Sequence, residues 1–288
     1  TWALSGNNAY TGVTTVSAGT LVLGGTNIGL GATAIVGGTL QASTDGALNP
    51  NSALTLTDAA TAVLDLNGTT NVIGALAGGG AVGGNITLGA TTTNTGVLTF
   101  NGTVGLGAAV RTLTVDSDVT LAGIVSDGGL TKAGTGVLTL NATSTLTGGT
   151  SVNAGTLALG VSGAIGSGAL SLANNGTLSL GAGTGAANQT VSQLSGASTS
   201  STVGGDAAVS VLTVNQSTTT IYAGVIGGVG ANQNNLGLTK SGVGSLTLSG
   251  ATLSYAGPTV VNGGTLNLAG SPGAALATSA VTVARGAT

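Results

Sequence analysis

Apolar residues recur at every second position in short triplets along most of the chain. Leu54-Thr55-Leu56, Leu64-Asp65-Leu66, Leu138-Thr139-Leu140, Leu157-Ala158-Leu159 and Leu170-Ser171-Leu172 carry the pattern, and Leu246-Thr247-Leu248 and Leu266-Asn267-Leu268 repeat it. Successive side chains of a strand point to opposite faces, so Leu points one way and Thr, Ser, Asp or Asn the other. Clusters of Gly, Asn, Ser and Thr separate the triplets and read as turns. No stretch keeps helical spacing over ten residues. The pattern predicts an all-β chain of very short strands.

A three-residue strand cannot stand alone and must stack on others like it. Sandwich strands usually run about five or six residues and are joined by tight hairpins. The triplets here are shorter and irregularly spaced, which favours a β-solenoid whose corners are turned by Gly and Asn. The expected core is a pile of inward Leu and Val: Leu138, Leu140, Val152, Leu157, Leu159, Leu246, Leu248, Val261, Leu266 and Leu268. At roughly twenty residues per coil, the chain would make about fourteen coils.

Longer repeats lie over the triplets. Leu130–Gly160 reappears as Leu238–Ala269 with one inserted residue, and Trp2–Gly24 aligns without gaps to Leu138–Gly160. The segments upstream correspond as well: Leu113-Thr-Val115 leads to Leu121, as Leu212-Thr-Val214 leads to Tyr222. The blocks 130–160 and 238–269 are therefore two copies of one unit, and 2–24 is a third, partial copy. The whole of 1–288 reads as a single elongated solenoid, a piece of a longer rod or fibre that starts and stops within repeats.

The block Leu130-Thr-Lys-Ala-Gly-Thr-Gly-Val-Leu-Thr-Leu140, followed by Thr147-Gly-Gly-Thr-Ser-Val-Asn-Ala-Gly-Thr-Leu157, resembles the passenger-associated transport repeat of autotransporter passenger domains. The resemblance implies a right-handed parallel β-helix, exported across the outer membrane of a Gram-negative bacterium, in which the repeat assists export and folding. It also implies an extracellular or cell-surface location.

Composition narrows the function. Charged residues make up 4% of the chain, against about 25% in ordinary domains. Disorder does not follow, because 41% of residues are hydrophobic and mean hydropathy is +0.52. Glycine does not recur at every third position, which excludes collagen. Polar residues interrupt every apolar run, so no transmembrane segment of about 20 residues is expected. Cysteine and histidine are absent. That removes thiol catalysis, Cys-ligated metals and the commonest general base. Net charge is −3 and the four cations are scattered, so nucleic acid is not a partner.

The remaining candidates are few. Asp116, Asp118 and Asp127 lie close in sequence and are the one calcium candidate, since clustered carboxylates suit hard cations. They lack the glycine-rich nonapeptide of calcium-binding β-rolls, and a solvated turn is the preferred reading. No catalytic residue, cofactor site or cofactor is assigned. Gly78-Gly79-Gly80 and Gly83-Gly84 lack the Lys-Ser/Thr ending of a phosphate loop and read as turns. Lys132 and Lys240 sit at equivalent repeat positions and are expected outside, at a turn. Tyr10 and Tyr255 are equivalent, with Leu146 in their place in the middle copy, which suggests packing at a coil corner. Asn-x-Ser/Thr sequons at Asn67, Asn85, Asn101, Asn141, Asn175, Asn188 and Asn215 arise from composition.

The expected function is structural and non-enzymatic: a surface stalk, or a fibre subunit that associates end to end or laterally. The alternative is an adhesin that binds host surfaces or glycans through the solenoid face. A polysaccharide-cleaving β-helix is the remote third.

Overall fold

The computed structural model describes residues 1–29, 31–56, 62–65, 67, 69–73, 75–78, 86–88, 98–100, 103–106, 110–116, 118–183, 185–250, 252–269 and 280–288. Leu66, Gly68, Gly79, Gly80, Gly83, Gly84, Asn85, Asn101 and Ser117 lie outside the described residues. The described secondary structure is strand, bridge, turn and bend, with no helix. Two compact units divide the chain, Thr1–Thr145 and Leu146–Thr288. Each is a parallel β-solenoid.

In the first unit one sheet stacks Trp2–Leu4, Thr20–Leu23, Gly38–Ala42, Ala62–Asp65, Ile86–Leu88, Val110–Val115 and Gly129–Ala133. A second stacks Thr14–Val16, Thr33–Ile35, Ala53–Leu56, Ala75–Gly78, Val104–Gly105 and Val125–Ser126. A third joins them with Asn71–Ile73, Leu98–Phe100, Val119–Leu121 and Val137–Leu140. The pairing is parallel, with Leu21 on Leu40 and Leu40 on Leu64. Stacking like on like buries the same apolar face in successive coils. Leu23, Leu40, Leu64, Leu113, Val115, Leu121 and Leu140 are all fully buried. The outward partners form columns such as Thr99–Thr120–Thr139.

The coil period is not uniform. Trp2 pairs with Leu21, Leu40 with Leu64 and Ile86 with Leu113. These steps of 19, 24 and 27 residues give fewer coils than an even twenty-residue spacing. The described strands stay two to six residues long whatever the step.

In the early coils the third sheet has no strand among the described residues, and buried amides do its work. Asn8 donates from its backbone N and its Nδ2 to Asn27 Oδ1, at 3.0 and 2.6 Å. Asn27 Nδ2 donates to Ala47 O at 2.6 Å, and Asn71 Oδ1 accepts from Leu48 N at 3.0 Å. Asn27 and Asn71 are each 1% exposed. Side-chain amides thus satisfy the backbone groups that a corner would leave unpaired.

The second unit follows the same plan with four sheets. They are built on Thr150–Val152, Ala169–Leu172 and Gln193–Ser195; on Thr156–Leu159, Thr177–Leu180, Thr202–Gly204 and Val225–Ile226; on Gln189–Val191, Ser210–Asn215, Leu236–Ser241, Thr259–Val261 and Val281–Val283; and on Thr220–Tyr222, Ser245–Leu248 and Thr265–Leu268. Of the expected core, Leu138, Leu140, Val152, Leu157, Leu159, Leu246, Leu248 and Val261 are buried. Leu266 is only half-buried and Leu268 is 42% exposed. Their strand is the outer one of its sheet, so no described strand covers it on that side.

Candidate functional site

The repeat motif Leu-Thr-Lys-x-Gly ends a strand at a turn, as expected, but its lysine lies inside the coil and not outside. Lys132 and Lys240 are not exterior charges; both are fully buried. Alternation explains it. Leu130 and Lys132 take inward positions in Gly129–Ala133, as Leu238 and Lys240 do in Leu236–Ser241. Lys132 stacks on Leu113, and Lys240 lies between Val214 and Val261. Each aliphatic stem fills an apolar rung, and the head reaches the coil corner.

At the corner the ammonium meets backbone carbonyls. Lys132 Nζ donates to Ala133 O at 2.9 Å and Gly134 O at 2.7 Å. Lys240 Nζ donates to Ser241 O at 2.7 Å, Gly242 O at 3.0 Å and Gly263 O of the following coil at 3.2 Å. Gly134 and Gly242 have φ of +78° and +75°, which glycine alone adopts without strain. Burial lowers the Lys132 pKa to about 8, partly opposed by Asp116 in the preceding coil. Burial lowers Lys240 as well. Arg111 is a third buried cation, and its Nε donates to Leu106 O at 2.7 Å.

The tyrosine corner is a second recurring device. Tyr10 Oη and Thr14 Oγ1 lie 2.9 Å apart, and Tyr255 Oη and Thr259 Oγ1 2.7 Å apart. Tyr255 is buried, whereas Tyr10 is 37% exposed. Leu146 takes the tyrosine's place in the middle copy, and there the buried Thr150 Oγ1 has no hydrogen-bond partner.

Four aspartates, Asp45, Asp116, Asp118 and Asp206, tie one coil to the next. Asp116 Oδ1 accepts from Thr135 N at 3.3 Å, and Asp118 Oδ1 from Val137 N at 3.1 Å. Asp127 has φ +61° and accepts from Ser126 Oγ at 3.1 Å. Asp45 and Asp206 also accept backbone N–H bonds, from Thr70 and Gly183. Among the described residues no three His, Cys, Asp or Glu side chains group as a metal site. Inter-coil stapling by Asp leaves a signal in sequence: Asp and the backbone N–H that donates to it are spaced by about one coil.

One groove, about 340 Å³, runs beside the first coil and is lined by Trp2, Leu4, Tyr10, Val13, Val16 and Leu21 with three Thr and one Ser. Its lining brings no carboxylate or amine to bear on a ligand. The connection 227–235 is a more conspicuous feature. It is longer than the corresponding turn after Val125, and Val229 in it is fully exposed. Gln233 braces it, with Oε1 accepting from Gly230 N and its carbonyl from Gly205 N, both at 2.9 Å.

Comparison with known proteins agrees with the repeat reading. The family model described as passenger-associated-transport-repeat matches residues 1–23, 18–42, 130–159 and 238–268. The match at 18–42 adds a repeat that the sequence reading did not separate. The chain is also similar to the adhesin BmaC autotransporter of Brucella suis biovar 1 (strain 1330), at 43% identity over 90 residues. That stretch is 31% of this chain and 3% of the relative, so the chain spans a small part of that protein's length. No solved structure matches.

Proposed function

We propose that this chain, an autotransporter passenger built on passenger-associated transport repeats, serves as a non-enzymatic spacer of the cell surface that holds other parts of its protein away from the membrane. The observation that carries this reading is the in-register coil stack with Leu inward and Thr outward. Each added coil lengthens such a stack by about 4.8 Å. Carboxylates and lysine heads are spent on backbone groups of the coils themselves. No helix among the described residues is long and apolar enough to cross a membrane. The weakly charged outer faces suit self-association, end to end or laterally, as part of the same structural role.

A second reading is direct adhesion. It is favoured by the relative named an adhesin and by the braced loop 227–235 with its exposed Val229. Purified chain, labelled and titrated onto cultured host cells, separates the two. The spacer reading expects no saturable binding and no competition with bacteria displaying the whole protein. Saturable binding that Val229→Asp abolishes would establish adhesion instead.

A further inference from the structure

We propose that Lys132 and Lys240 set the register of their coils, selecting one strand pairing from several that the repetitive sequence would otherwise allow. The degeneracy is visible around Lys240. Leu212 pairs with Leu238, Thr213 with Thr239 and Val214 with Lys240. A one-residue slip would turn Leu outward and is blocked by the apolar pattern. A two-residue slip keeps every face: Leu212 would lie on Lys240, Thr213 on Ser241 and Ser210 on Leu238. Leu-x-Leu alternation cannot tell these registers apart.

Lysine can. Its stem belongs to the apolar rung and its head belongs to the corner, so it fits where the strand ends at the coil's edge. In the native register Lys240 Nζ reaches Gly263 O of the following coil, besides Ser241 O and Gly242 O. The turn itself also fits the coil before it, because a Cβ on Gly242 would collide with Gln216 O. Around Lys132 the cross-coil partner is Asp116, whose carboxylate lies against Gly134 and accepts from Thr135 N. A two-residue slip moves the ammonium from the corner toward the middle of the apolar stack, where a charge is costly to bury. A buried polar residue that fixes pairing is the best-attested use of such groups.

The chain has no cysteine, so engineered pairs report register directly. Parallel neighbours lie about 4.8 Å apart, within the range a disulfide spans. Thr213→Cys/Thr239→Cys reports the native register, and Thr213→Cys/Ser241→Cys the slipped one. After refolding and mild oxidation, the native pair should link almost completely and the slipped pair hardly at all. With Lys240→Met added, the slipped pair should gain several-fold at the expense of the native pair, while the melting temperature stays near that of the parent. Unchanged linking in the Lys240→Met background overturns the proposal. So does loss of both links, which would make the lysine a general stability element. A Leu238→Met control should change neither pair; a matching slip there would make the effect one of packing, and equally overturn it.

Discussion

At Leu146–Thr150 and at Tyr255–Thr259 the same turn leads into the same kind of strand, yet the two corners are finished differently. Tyr255 is buried with its hydroxyl on Thr259 Oγ1. Leu146 fills the equivalent corner with hydrocarbon, and Thr150 Oγ1 is buried without a partner. The corner therefore requires volume before it requires the hydrogen bond. Threonine stays in both copies because its β-branched side chain suits the strand, even where its hydroxyl has nothing to bind. The first copy is intermediate: Tyr10 keeps the bond to Thr14 but is partly exposed.

If volume is what the corner needs, removing it should have the largest effect. Tyr255→Ala should destabilise the second unit by about 3–5 kcal/mol and Leu146→Ala by about 2–5 kcal/mol. Tyr255→Phe keeps the volume and should cost only about 1 kcal/mol. Urea midpoints at constant slope would show the order. A Phe variant as damaging as Ala would break the comparison, because the hydroxyl would then dominate.

Glycine at the lysine turns comes next. Gly242→Ala forces a side chain into left-handed backbone and against Gln216 O, and should cost about 1–3 kcal/mol. Gly134→Ala meets Val115 O in the same way. Thermal melts of both variants sharpen the contrast between a turn that tolerates no change and a corner that accepts Leu for Tyr.

The buried amines, Lys132 and Lys240, and the buried phenols give the fold a pH signature, each lysine lowered by burial. Lys132 has its folded pKa lowered to about 8, from an ordinary 10.5. Between these values the unfolded chain binds more protons, so stability rises with pH. Tyr222 and Tyr255 shift the other way, raised by burial from an ordinary 10.0. Above pH 10 their unfolded forms ionise first, and stability falls. Melting temperature should climb from pH 8, peak near 10 and then drop. In Lys132→Met the climb should shrink while the fall remains; a climb of full size would mean that other groups cause it.

Leu138, Leu140, Val152 and Leu157 could be placed inside from sequence because period-two alternation is a local signal. The same alternation places Lys132 and Lys240 inside. Reading them as surface charges let residue type override position, and a long stem with a polar head satisfies both. The tyrosine corner was half legible: Leu146 replacing Tyr10 and Tyr255 showed packing, but the threonine four residues on was not connected to it. The amide ladder of Asn8, Asn27 and Asn71 was missed, since Asn in a Gly-rich chain reads as turn composition. Its signal was spacing, one coil from Asn8 to Asn27 and two coils from Asn27 to Asn71. Leu268 follows the inward pattern yet is exposed, because burial depends on a neighbouring strand that sequence alternation does not report.

The smallest effect isolates the hydroxyl. Thr150→Val keeps the shape of the side chain and removes an oxygen that is 2% exposed as a residue and unpartnered. Leaving a buried hydroxyl unsatisfied costs about 1–3 kcal/mol, and replacing it by an apolar isostere recovers part of that. Thr150→Val should therefore stabilise the second unit by roughly 1 kcal/mol. The same change at Thr259 removes the partner of a buried phenol and should destabilise by a similar amount. Opposite signs at two equivalent positions of one repeat are the expected result, read as urea midpoints moving in opposite directions. Two shifts of the same sign would mean that Thr150 Oγ1 has a partner, such as an ordered water, and that the two corners are chemically alike.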